Sequence, residues 1–225
     1  MTNLPLQRFF WALALIGFST FSLAAQHNPS AVVQQTSEQV QTLLMAEDGN
    51  NTDSIREKVD SVLMPRFDFE RMTALAVGKN WRKASTDQKQ ELTSAFKSLL
   101  THTYFSTMLR YRDVKIQVSP DAIFSHKGKR ATVKTNVYID GSETGGQSVS
   151  IDYSVYQTSA GWQVYNVSVE GASLVTVYRN QFNEQVSRNG IDGLIDVLKS
   201  KNHSNHEKQD QASTDSEDDN SEPNS

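Results

Sequence analysis

Apolar residues recur three and four apart through the first half of the chain and alternate through much of the second, with one change of period near residue 111. Spacing of three and four marks one face of a helix, and alternation marks one face of a strand. Val32, Val33, Val40, Leu43 and Leu44 form a first helical stripe after Pro29. Ile55, Val59, Val62 and Leu63 form a second, ending before Pro65. A third helix is expected over about 67–77, stopping at Gly78, where glycine can reverse the chain. Ser85-Thr86-Asp87-Gln88 has the spacing of a capping box, so a long helix opens there, with Leu92, Phe96, Leu99, Thr103 and Met108 along one face.

Alternation then takes over in four runs: Val114, Ile116 and Val118; Val133, Thr135, Val137 and Ile139; Val149, Ile151, Tyr153 and Val155; and Tyr165, Val167 and Val169. Turn-rich breaks at 119–128, 140–146 and 159–161 separate them, which predicts an antiparallel meander. Lys134, Asn136, Ser150, Asp152 and Ser154 occupy the other face, so one side of the sheet is wet and the other apolar. Gly171 is the hinge to a last helical stripe of Leu174, Val175, Tyr178 and Phe182, over about 173–188. Asn189-Gly190 breaks that pattern before a shorter helix over 191–199. The fold class that follows is α+β, with helices packed on the single apolar face of a twisted four-stranded antiparallel sheet. The last strand and the helix after it then share one apolar volume. Spacing alone does not say whether side chains or a ligand fill it.

The two ends read differently from this body. Arg8 precedes the apolar run FFWALALIGFSTF and then Ser22, Leu23, Ala24 and Ala25, the layout of a cleaved secretory signal peptide over 1–24. Residues 202–225 hold seven acidic residues, one lysine and no large aliphatic or aromatic side chain, so they are expected as a disordered acidic tail. The tail therefore carries a net −6 against −4 for the whole chain, and with +1 from Arg8 set aside the body, 25–201, is left near neutral at +1. A near-neutral body argues against a nucleic-acid surface. With no cysteine there is no disulfide, thiol chemistry or lipidated cysteine.

Candidate chemistry is sparse. No G-x-S-x-G, phosphate loop or H-E-x-x-H occurs. His102 falls on a helix beside the apolar stripe and His126 in a lysine-rich turn, while His203 and His206 belong to the tail and are a weak metal pair. Asp68 and Glu70 are the one tempting carboxylate pair, but directly after Pro65 they suit a helix cap. Asp152 lies on the wet face.

Five ordered blocks resemble the MlaC family: Phe67-Asp68-Phe69-x-x-Met72; Gly78-x-x-Trp81-x-x-Ala84-Ser85-x-x-Gln88; Trp162-x-Val164-Tyr165-x-Val167; 169–182 around Glu170-Gly171-x-Ser173-Leu174-Val175-x-x-Tyr178-Arg179; and Gly190-Ile191-Asp192-Gly193-Leu194-Ile195. The resemblance spans essentially the whole body, and the acidic tail lies outside it. It implies a periplasmic phospholipid-binding protein, also called a toluene-tolerance auxiliary transport component, on a fold related to the NTF2-like cone with extra helices. It implies a soluble shuttle with no cofactor and a glycerophospholipid as cargo, moving between an outer-membrane lipoprotein complex and an inner-membrane ABC transporter with its periplasmic lipid-binding subunit. On that reading the acyl chains are lined by Phe96, Leu99, Thr103, Met108, Ile116, Val133, Val137, Ile151, Tyr153, Val155, Tyr165, Val167, Val169, Leu174, Val175, Tyr178 and Phe182. The alternative from another class is an enzyme on a cone-shaped α+β fold, with Tyr104 or Asp68 as a buried acid or base. A third is an interaction subunit with a solid core.

Overall fold

The computed structural model describes residues 28–139 and 146–218, from 205 onward as backbone alone. The segment read as a signal peptide lies outside the described residues. Asn28 opens the first helix, α1 (Pro29–Met45), by accepting from the Ser30 amide at 2.9 Å, with proline in the first turn where its missing N–H costs nothing. α2 (Thr52–Leu63) follows antiparallel to it. The third helix, α3 (Phe69–Val77), starts two residues later than its apolar pattern suggests, because residues 66–68 are used as backbone partners of Val164. The Val164 amide donates to Arg66 O at 2.8 Å, and the Asp68 amide donates to Val164 O at 2.9 Å. A 3₁₀ turn, Gly78–Lys83, leads into α4 (Thr86–Arg110), where the capping box forms in full: the Gln88 amide donates to Ser85 Oγ at 3.1 Å and the Ser85 amide to Gln88 Oε1 at 3.0 Å.

Among the described residues the sheet has six strands rather than four: β1 (Lys115–Val118), β2 (Ile123–Ser125), β3 (Arg130–Tyr138), β4 (Ser148–Thr158), β5 (Gly161–Val169) and β6 (Ala172–Ser173). β2, three residues long, falls inside the 119–128 segment read as a turn, and β6, two residues long, falls between the Gly171 hinge and the expected helix, both too short to show a period. All pairings between strands are antiparallel in the order β1-β3-β4-β5-β6, with β2 beside β1 on the same edge of β3. Lys134 and Asn136 are exposed on the polar face, as alternation requires.

The final helix, α5 (Leu174–Asp218), carries one non-helical residue, Gly190 at φ 72 and ψ −172. The break therefore falls on the Asn189-Gly190 pair. α5 runs as backbone into the segment read as a tail, and Asn202, placed there by composition, donates from Nδ2 to Ala95 O on α4 at 2.9 Å. A side-chain amide can tie one helix to another without any apolar anchor, which composition does not reveal.

Candidate functional site

Three apolar clusters hold the molecule together, and the expected lining residues are divided among them. The first joins α3, α4 and α5: Met72, Val77, Leu92, Phe96, Leu99, Val175, Phe182, Leu194 and Leu198 are buried there, with Tyr104 and Tyr178 on its margin. The Phe96 ring meets Tyr178 and Phe182 edge-on, with centroids 4.9 and 5.0 Å apart. The second is formed where α1 lies on the sheet: Val32 and Val33 cover Ala131, Val133, Val155, Trp162 and Val164. The third joins α1 and α2 to the far end of α4 through Val40, Leu44, Ile55, Val59 and Phe105, with Met108 beside them.

Phe96, Leu99, Val133, Val155, Val175 and Phe182 are thus closed core. Thr103 is exposed rather than buried. It continues the Phe96–Leu99 face by spacing, but α4 changes its buried side along its length: Phe105 is nine residues, or two and a half turns, beyond Phe96, so the two rings point to opposite sides. The apolar stripe of the first half runs out into an accessible strip in the second.

Tyr165 is the second correction. Ile151 pairs with Val169 and Tyr153 with Val167, but Val155 pairs with Val164, so a bulge near Tyr165 inserts one residue into β5. A bulge shifts the alternation, and Tyr165 turns to the opposite face from Val167 and Val169. There its ring stands edge-on to Tyr156 at 5.9 Å, and the Arg71 guanidinium lies over both rings, 4.1 Å from Tyr156 and 4.8 Å from Tyr165.

What remains together is a half-buried apolar wall toward the end of the sheet where β3 finishes and β4 begins: Ile116, Val137, Ile151, Tyr153, Val167 and Val169. α5 begins against β5, so Leu174 and Tyr178, also half-buried, flank that wall. α4 packs on α1, α3 and α5, while α1 lies against β1 and β3 and α5 against β5, so the wall residues are partly covered rather than closed. Tyr153 keeps accessible surface, yet burial alone pushes its hydroxyl up to about 12. Tyr178 is raised as well, first by burial and then by its neighbour Tyr104, to which it is hydrogen-bonded. Two outer hollows, of about 730 Å³ beside Lys79, Lys83 and Asn183 and about 420 Å³ between α1 and α2, include none of the expected residues.

The catalytic candidates have structural duties. Asp68 Oδ1 caps α3 by accepting from the Arg71 amide at 2.8 Å, and Oδ2 accepts from the Tyr156 hydroxyl. Glu70 is exposed. Among the described residues no three His, Cys, Asp or Glu side chains gather as a metal site, and no helix is long and apolar enough to cross a membrane.

The sequence model described as MlaC protein matches residues 34–200. A toluene tolerance protein, Ttg2D of Pseudomonas putida, is 29% identical over 182 residues, which cover 79% of this chain and 81% of that protein. A phospholipid-binding protein from Ralstonia solanacearum, solved in complex with a phospholipid, superposes with a TM-score of 0.70 at 28% identity, over 79% of this chain and 98% of that one.

Proposed function

The chain belongs to the MlaC family, and from that membership we propose that it is a periplasmic carrier that holds a glycerophospholipid by its acyl chains. The observation that carries the reading is the half-buried apolar wall of Ile151, Tyr153, Val167 and Val169, flanked by Leu174 and Tyr178. Two acyl chains hold on the order of 30 CH2 groups, each worth about 0.8 kcal/mol when hidden from water, so a free lipid in water costs roughly 20 kcal/mol or more. A carrier competes with a bilayer by offering an equivalent apolar volume, and exchange between two such volumes is close to balanced. Such a protein acts without a nucleotide of its own.

On this reading the packed residues Phe96, Leu99, Val133, Val155, Val175 and Phe182 form the rigid walls behind the lipid, and Tyr153 and Tyr178 face it. The route runs between an outer-membrane lipoprotein complex and the periplasmic lipid-binding subunit of an inner-membrane ABC transporter, after removal of the signal peptide. The similarity to a protein solved with phospholipid supports the cargo class, and Asp68 held in a cap and a tyrosine contact favours a carrier over an enzyme. Organic extraction of freshly purified protein, followed by mass spectrometry, tests the proposal. Intact phospholipid near one per protein is expected. Protein that is well folded and free of lipid, or that converts added phospholipid to lyso-lipid, sinks it.

A further inference from the structure

Toward the other end of the sheet, β2 stands off the main strand path, pairing only with residues 130–132 of β3. All three of its residues are exposed, and two are large and apolar: Ile123 at 57% and Phe124 at 55%. Phe124 is tied down by one edge-on contact to the buried Trp162, at 6.1 Å, while Ile123 points to the opposite side of the strand. The turn that follows is tight. The Gly128 amide donates to Ser125 O at 3.1 Å and the Lys129 amide to His126 O at 3.2 Å. His126, Lys127 and Gly128 all have positive φ, at 52°, 57° and 82°. Two side-chain-bearing residues in the left-handed region are costly, so the tip is held in one shape. Lys127 and Lys129 are exposed on it, and Arg130 Nη1 lies 3.3 Å from His126 Nε2. The hairpin, 123–138, contains no acidic residue, and Asp121 lies two positions before it.

We propose that the β2–β3 hairpin is a membrane-surface anchor, inserting Ile123 and Phe124 among the headgroups of an anionic bilayer while Lys127 and Lys129 engage the lipid phosphates. A stable protein partner needs about 800 Å² of surface on each side, far more than a narrow tip with two apolar side chains offers. Interfacial insertion needs only a few apolar groups with cations around them. The occupant is anionic because the exposed charge on the tip is cationic. The hairpin lies apart from the apolar wall, so the inference does not depend on lipid filling that wall.

Vesicle flotation tests it with the purified full chain. The protein is expected to float with phosphatidylglycerol/phosphatidylcholine vesicles at low salt, to float far less with pure phosphatidylcholine, and to be released as salt rises. Ile123→Ser with Phe124→Ser, and separately Lys127→Glu with Lys129→Glu, are each expected to lower the partition coefficient roughly tenfold or more while leaving extractable lipid unchanged. If loss of the Trp162 contact unfolds the first variant, Ile123→Ser alone carries the test. A parent protein that does not float with anionic vesicles, or variants that float as it does, overturns the proposal. An empty protein that still floats refutes the carrier reading and leaves the anchor standing.

Discussion

Val155 and Val167 lie on the same face of neighbouring strands, yet Val155 is 1% exposed under α1 and Val167 is half-buried beside Tyr153. An aspartate at 155 has no partner and no water, a penalty of several kcal/mol against a total stability of about 5–15. Val155→Asp is therefore expected to prevent folding, seen as a lost cooperative melt by circular dichroism. Val167→Asp is expected to fold and to lose extractable lipid, while Ser154→Asp, on the polar face, keeps both. A Val155→Asp protein that melts like the parent would refute the closed core at that site. Tyr153 supplies a second test, through its sign. Its folded pKa is raised to about 12, whereas the unfolded chain ionises near 10, so its contribution is complete below pH 10 and disappears as pH climbs from 10 through 12. Between pH 9 and 11 the melting temperature of Tyr153→Phe should fall less than that of the parent. At this scale the sequence places the alternating faces correctly except at Tyr165. A bulge is set by how two strands register, and one strand's spacing holds no record of its partner.

Elements whose signals are local read true. The capping box of α4 and the break at Asn189-Gly190 depend on contiguous residues, and both are found where the residues put them. Gly190, at φ 72 and ψ −172, occupies a region open essentially to glycine alone, so Gly190→Ala is expected to cost about 1–3 kcal/mol and lower the melting temperature by several degrees. The kink also brings Asn189 over the next turn, where a Cβ at Gly193 would sit 2.2 Å from Asn189 Cβ. Gly193→Ala should be at least as damaging. An unchanged melt in both would remove the kink from the list of structural necessities. The change of buried side along α4 is different in kind. It arises because α3 and α5 grip one half and α1 and α2 the other, and a helical face drawn through Phe96, Leu99 and Thr103 assumes a single neighbour. Likewise the sequence shows that the sheet has an apolar face, but which part of that face α1 covers depends on how far the helix reaches across it.

For the molecule as a whole, the acidic end is expected to stand apart from the folded body. Deleting 205–225 should leave melting temperature and extractable lipid unchanged, whereas a cut that also removes Asn202 gives up its bond to Ala95 O, worth about 1 kcal/mol. A clear drop in melting temperature for the shorter deletion would show that the acidic segment supports the body. The opposed grips on α4 have a mechanical consequence. A rod held on one side near its start and on the other near its end is pinned between two sets of neighbours. α4 therefore ties the α3–α5 grouping to the α1–α2 pair, and neither can loosen without the rod losing half of its hold.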